Sequence, residues 1–132
     1  MKALVVEDDF TSSKILQRLL VSNFETDVAI DGVEAIDAFK SAHDNNAHYD
    51  VIFLDIMMPK KDGHQVLKDI RSYEEQNNID SDHAAKIIMT TALDDSKNVL
   101  SAFKSGCEGY IVKPYNKQKI FEKLEELGLI ES

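Results

Sequence analysis

The chain has a single cysteine, Cys107, so it can form no internal disulfide, and no Cys/His grouping has the spacing of zinc ligands. Cys107 reads as a small packing residue. Long apolar runs are also missing: the stretches extend over only a few residues, and the N-terminus enters a strand pattern at once. Neither a membrane span nor a signal peptide is legible, and the expectation is a soluble, cytoplasmic protein with no membrane partner. Positive charge is scarce, with 15 Lys plus Arg against 24 Asp plus Glu and a formal net charge of −9. That balance disfavours a phosphate-backbone partner and argues against direct nucleic-acid binding. At 132 residues there is no room for a second domain, while 43% hydrophobic residues suffice for one core. A single domain over residues 1–132, with no attached effector domain, is expected.

What is present is organised around Val51-Ile52-Phe53-Leu54-Asp55-Ile56-Met57-Met58-Pro59-Lys60-Lys61-Asp62-Gly63. Four large apolar residues without polar alternation predict a strand covered on both faces, as in a parallel sheet between two helix layers. The run ends on a carboxylate. A buried Asp is costly unless paired or metal-bound, so Asp55 is expected where the strand emerges, with Pro59 and Gly63 punctuating the loop beyond.

The rest of the chain alternates strand and helix. Ala3–Val6 is an apolar run stopped by Glu7-Asp8-Asp9, after which Ile15, Leu16, Leu19 and Leu20 recur at helical spacing, with Asp9, Thr11 and Ser12 as candidate caps. Asp27–Ile30 predicts a weak second strand, and Val33, Ile36 and Phe39 a helix ending near Ala42. Val66, Leu67 and Ile70 mark a third helix from about Gly63 to Ser72. The polar stretch Tyr73 to Ala85, with only Ile79 to bury, reads as a long surface loop, extended by a further helical turn at most. Ile87–Met89 leads into Thr90-Thr91-Ala92. A fourth helix follows, capped by Asp94, Asp95 or Ser96, with Val99, Leu100 and Phe103 as its apolar face and Gly106 as its stop. Tyr110–Val112 is the fifth strand, ending in Lys113-Pro114, and Ile120, Phe121, Leu124 and Leu127 form the apolar face of a last helix. The four histidines, His43, His48, His64 and His83, share no metal spacing and read as solvated.

Five such alternations predict an α/β, doubly wound parallel sheet with helices on both faces. Its carboxyl edge would gather Glu7 and Asp8 from the first strand, Asp55 from the third, Thr91 from the fourth and Lys113 from the fifth. Three converging carboxylates repel one another unless a divalent cation joins them, and such oxygen ligands suit Mg²⁺. A hydroxyl and an ammonium opposite them make room for an anion bridged to the metal. This is the chemistry of phosphoryl transfer, with Asp55 attacking in line.

The chain resembles the receiver domains of two-component response regulators, in length and layout the single-domain chemotaxis type. The resemblance rests on Glu7-Asp8, on Asp55, Met58, Pro59 and Gly63 in an Asp-x-x-Met-Pro-x-x-x-Gly run, on Thr91-Ala92, on Tyr110 and on Lys113-Pro114. It implies a flavodoxin-like five-stranded sheet in the order 2-1-3-4-5, with a cis peptide before Pro114. Asp55 would be the phosphoacceptor, receiving a phosphoryl group from a sensor histidine kinase or a histidine phosphotransfer protein. Asp8 and Asp55 would ligate Mg²⁺ directly, Glu7 mainly through water, and Met57 through its backbone carbonyl. Asp9 is left to loop or cap duty. Thr91 and Lys113 would meet the phosphoryl oxygens, and Thr91 with Tyr110 would carry the switch to the surface formed by helix 4, strand 5 and helix 5, where a downstream target protein binds. The protein would be a monomer that catalyses only its own phosphorylation and autodephosphorylation. A relay intermediate, passing the group on to a histidine phosphotransfer protein, is the alternative output. The apolar Met57 and Leu93, two residues beyond Asp55 and Thr91, imply a long-lived acyl phosphate, because polar groups there help water attack.

Other chemistries fit less well. A flavin or nucleotide binder of the same architecture needs a Gly-rich loop after the first strand, where Glu7-Asp8-Asp9 would repel phosphate. A phosphatase with an aspartyl nucleophile usually carries a second Asp two residues on, and that position is Met57.

Overall fold

The computed structural model describes residues 1–56, 62–91 and 96–130, residues 96–99 by their backbone path alone. The chain runs β1 (Lys2–Val6), α1 (Phe10–Leu20), β2 (Glu25–Ala29), α2 (Gly32–Asp44), β3 (Val51–Asp55), α3 (Gly63–Gln76), β4 (Lys86–Thr91), α4 (Ser96–Lys104), β5 (Gly109–Val112) and α5 (Lys117–Glu126). All pairings are parallel, in the order β2-β1-β3-β4-β5. The order expected from the resemblance is therefore the order found.

The sheet separates two cores. Alternate residues of β1 and β3, namely Leu4, Val6, Ile52 and Leu54, pack with Phe39 of α2 and with Val66, Leu67 and Ile70 of α3. The intervening Ala3, Val5, Val51 and Phe53 face Leu16 and Leu20 of α1 and Ile120 and Leu124 of α5. This two-sided burial is why Val51–Leu54 shows no polar alternation. Each fully buried Leu or Ile contributes roughly 1.5–3 kcal/mol from area removed from water. The outer strands differ: β5 alternates buried with half-buried positions, and β2 alternates exposed with half-buried ones up to the buried Ala29.

Short polar side chains start the helices. Asp9 caps α1 by accepting from Ser12 N, Asp31 caps α2, Asp62 caps α3 and Asn116 caps α5. Gly106, with φ of 105°, follows α4 in the left-handed region that glycine tolerates best. The caps foreseen for α4 at Asp94 and Asp95 lie outside the described residues.

Several expected core positions face outward. Ile15 and Val33 are exposed, and so are Leu100 and Phe103 at 61% and 44%; among the described side chains of α4, Ala102 is the buried one, and the expected Val99 lies outside them. Helical spacing identifies an apolar stripe without saying which stripe is covered. Residue Ile30 falls just past β2 and is exposed.

The stretch after Ser72 is also more structured than a loop. α3 continues to Gln76, and Tyr73 packs edge-on against Phe39 with ring centroids 5.7 Å apart. Arg71 explains why this turn is held. It donates to Gly106 O (3.0 Å), to Ala85 O (2.9 Å), to Glu74 (2.7 Å) and through Nη2 to both oxygens of Glu108 (2.6 and 2.9 Å). Glu74 in turn accepts from Ala85 N and Glu108 from Ile87 N. One guanidinium thus ties α3 to the start of β4 and to the turn before β5. Ile79, expected as the buried residue of this segment, is only half-buried.

The histidines are not all solvated. His83 is exposed and pairs with Asp80 (2.7 Å), which raises its pKa. His43 lies 5.1 Å from His48 and edge-on to Tyr73, ring centroid to ring centroid, and its Nδ1 is buried without a partner among the described residues. Both ring nitrogens of His64, near the start of α3, are likewise buried without one. Cys107 is buried as expected, and burial pushes its thiol up to about 11, so it is an inert packing residue.

Candidate functional site

The chain reverses direction in the sheet between β1 and β3, because β2 lies to one side of β1 and β3 to the other. Crevices beyond the strand ends at such a point are where open α/β sheets bind ligands. Here β1 delivers Glu7 and Asp8, and β3 delivers Asp55 as its last residue. One oxygen from each of the three carboxylates lies within 4.8 Å of the others. Glu7 and Asp55 are 2% and 5% exposed, while Asp8 opens to solvent.

Each side chain is held by its own strand end. Glu7 N donates to Ala29 O, fixing the end of β1 against β2, and Ile56 N donates to Thr90 O, fixing the end of β3 against β4. Gly63 returns the chain to the same place. Its N–H donates to Ile56 O, and a Cβ there would lie 2.8 Å from Ile56 Cα and closer still to the Asp55 carbonyl. No larger residue fits without moving the end of β3.

Lys113 supplies the cation. Its backbone N–H donates to Thr91 O at 2.7 Å and the following peptide is cis, as the resemblance implied. Its ammonium is ion-paired with Glu7 Oε1 and lies 3.3 Å from Asp55 Oδ2. Burial opposes that charge, but the bond to Glu7 and the neighbouring Asp55 prevail and raise the Lys113 pKa. Glu7 is raised as well, by burial first and by its hydrogen bond with Asp55 next, with Lys113 pulling the other way. A second carboxylate beside it makes the buried Glu7 hold its proton more tightly.

A hydroxyl absent from the sequence reading joins the group. Tyr115 OH lies 3.5 Å from Glu7 Oε1. The signal was the tyrosine two residues past Lys113, but a side chain's direction after a proline is not written in the sequence. Thr91 is buried at the end of β4, as expected, and Tyr110 on β5 is half-buried and meets Phe103 edge-on, centroids 6.2 Å apart. Asp9 serves as the α1 cap rather than in the cluster. Met57, the expected carbonyl ligand, lies outside the described residues, as do Met58, Pro59, Ala92 and Leu93.

The donor set suits Mg²⁺. Three carboxylate oxygens converge on one side of the crevice, one of them open to solvent, and a lysine ammonium already occupies the position of a counter-charge between two of them. A cavity of about 460 Å³ lined by His43, Tyr49, Ile79 and Leu129 lies instead at the opposite, N-terminal edge of the sheet and takes no part.

Residues 3–125 match the family model of the response regulator receiver domain. The chain belongs to that family. It is 33% identical over 130 residues to the osmosensing histidine protein kinase SLN1 of Saccharomyces cerevisiae, covering 96% of this chain and 10% of that protein. It spans about half the length of several other curated relatives. Among solved structures it is similar to one from the CheX-CheY-BeF₃-Mg²⁺ complex of Borrelia burgdorferi, with 29% identity, a TM-score of 0.83 and coverage of 97% of this chain and 89% of that one. It is similar also to one from the S. cerevisiae complex of the histidine phosphotransfer protein Ypd1 with the receiver domain of Ssk1, with 28% identity, a TM-score of 0.83 and coverage of 97% and 88%. This receiver domain is thus of the kind used in two-component signalling, and no helix among its described residues is long and apolar enough to cross a membrane.

Proposed function

We propose that the protein is a phosphoacceptor whose Asp55 takes a phosphoryl group from a phosphohistidine in a Mg²⁺-dependent reaction. The observation that carries this reading is the convergence of Glu7, Asp8 and Asp55 at the sheet's switch point, with Lys113 bridging two of them. An Asp55 carboxylate oxygen forms the new bond to phosphorus as the bond from phosphorus to the donor imidazole nitrogen breaks, and the imidazole leaves with its electron pair and takes up a proton. The chemistry a bound Mg²⁺ supplies is neutralisation of the carboxylates and of the phosphoryl oxygens. Asp8 and Asp55 would hold it directly, Glu7 through water, and Met57 by its carbonyl. Lys113 would leave Glu7 for one phosphoryl oxygen and Thr91 would donate to another.

In this reading the chain acts on itself alone and is not a multiple-turnover enzyme. Its output is the surface of α4, β5 and α5, where Phe103 and Leu100 are exposed and Tyr110 rests against Phe103. Movement of Thr91 toward the phosphoryl group would draw Tyr110 inward and change the shape a downstream target meets. The donor is a sensor histidine kinase or a histidine phosphotransfer protein. A histidine phosphotransfer protein as donor draws support from the Ssk1 receiver, similar in structure, solved together with Ypd1 and downstream of it.

The test is incubation with acetyl phosphate and Mg²⁺ followed by intact mass. A gain of one phosphoryl group that disappears on chelation of Mg²⁺ and in Asp55→Asn is expected. Equal phosphorylation of Asp55→Asn would remove Asp55 from the reaction.

A further inference from the structure

Tyr115 has a place in the site that the phosphoacceptor chemistry leaves unused. Its ring packs with the core between the sheet and α1 and α5, and its hydroxyl emerges beside the carboxylates. The hydroxyl approaches Glu7 Oε1, the same oxygen that the Lys113 ammonium engages. A phenol has one proton to donate, and Glu7 Oε1 is the acceptor within its reach. Burial, ahead of the neighbouring charges, raises the Tyr115 pKa to about 12, so the proton stays on the phenol.

The separation of 3.5 Å is at the outer limit of a hydrogen bond, because in this arrangement the Glu7 carboxylate is drawn to Lys113. Phosphorylation changes that competition. As the Lys113 ammonium turns to the anion on Asp55, the buried Glu7 loses its strongest donor. Among the described residues, the donors left to it are the Asp9 N–H, 3.4 Å from Oε2, and the Tyr115 hydroxyl at Oε1. A buried carboxylate stripped of donors would reorient, and that change would spoil it for holding the metal's water.

We propose that Tyr115 is a positioning residue for the metal site, its hydroxyl holding Glu7 in the metal-facing orientation once Lys113 has moved to the phosphoryl group. The proposal rests on the phosphoacceptor reading of the site. It assigns the Tyr115-Glu7 contact the task of keeping one carboxylate in place across the switch, while the packing of the tyrosine ring serves the fold alone.

Tyr115→Phe keeps the ring and removes only the hydroxyl. Lys113→Met imitates withdrawal of the ammonium from Glu7. The experiment is calorimetric Mg²⁺ titration of the wild type, both single variants and the double variant, with a metal-free melting curve for each. Tyr115→Phe should melt as the wild type does and bind Mg²⁺ within about twofold of it, since Lys113 still holds Glu7. In the Lys113→Met background the same change should weaken Mg²⁺ binding by roughly tenfold, the loss expected for one hydrogen bond to a charged group. Equal effects in the two backgrounds, or none in either, would overturn the proposal and leave the phosphoacceptor reading standing. Wild-type protein that bound no Mg²⁺ would take down both.

Discussion

The ammonium of Lys113 on the β5 side is ion-paired with Glu7 on the β1 side, spanning the ends of the two strands between them. This lysine is an internal counter-ion of the carboxylate cluster, meeting Glu7 and Asp55 of its three members.

A pH dependence follows from Glu7. Its pKa in the fold is raised above the ordinary value, by burial first and by Asp55 second, so the folded protein binds that proton more tightly than the unfolded chain. The stability due to this group is fully present below the unfolded pKa and is lost as pH rises through the raised folded value. The same proton competes with metal. The rise in melting temperature produced by saturating Mg²⁺ should be larger at pH 8 than at pH 5, and equal shifts would show that Glu7 does not titrate against the metal.

Arg71 supports a second prediction, on stability. Its guanidinium is mostly buried and satisfies Glu74, which is 5% exposed in its side chain, together with the more open Glu108. Arg71→Met would leave both carboxylates without their cation, at a cost of about 3–5 kcal/mol. Urea denaturation should show a loss of that size, whereas a loss below about 1 kcal/mol would mean the network is replaceable by packing.

How much of this was legible beforehand differs from residue to residue. Val51–Leu54 announced a central strand because burial on both faces removes alternation, and the carboxylates at the ends of β1 and β3 announced a site because nothing in a core would tolerate them. Leu100 and Phe103 misled because spacing fixes a stripe and not what covers it. The pairing of Arg71 with Glu108, 37 residues away, depends on tertiary placement, as does the approach of Tyr115 to Glu7. His64 looked solvated by composition, yet its ring nitrogens are buried, since the start of α3 is packed down where Gly63 meets β3.

The lifetime of the phosphorylated state is a third prediction, made from the sequence and the family resemblance. Met57 and Leu93 offer no acceptor to orient an attacking water, so hydrolysis should be slow for a receiver domain. The decay of purified phosphoprotein should be faster in a Met57→Asn, Leu93→Glu double variant. Unchanged decay would show that these two positions do not control it.

The claim on which the rest depends is that the phosphoryl group is carried as an acyl phosphate by Asp55. Borohydride reduces an acyl phosphate to the alcohol, so treatment of the phosphorylated protein, followed by peptide mass spectrometry, marks the modified residue as homoserine. The account predicts homoserine at position 55 alone, in an amount that follows the phosphorylated fraction and vanishes without Mg²⁺. Conversion at Asp8 instead, or a phosphoryl group that survives borohydride on a histidine, would contradict it.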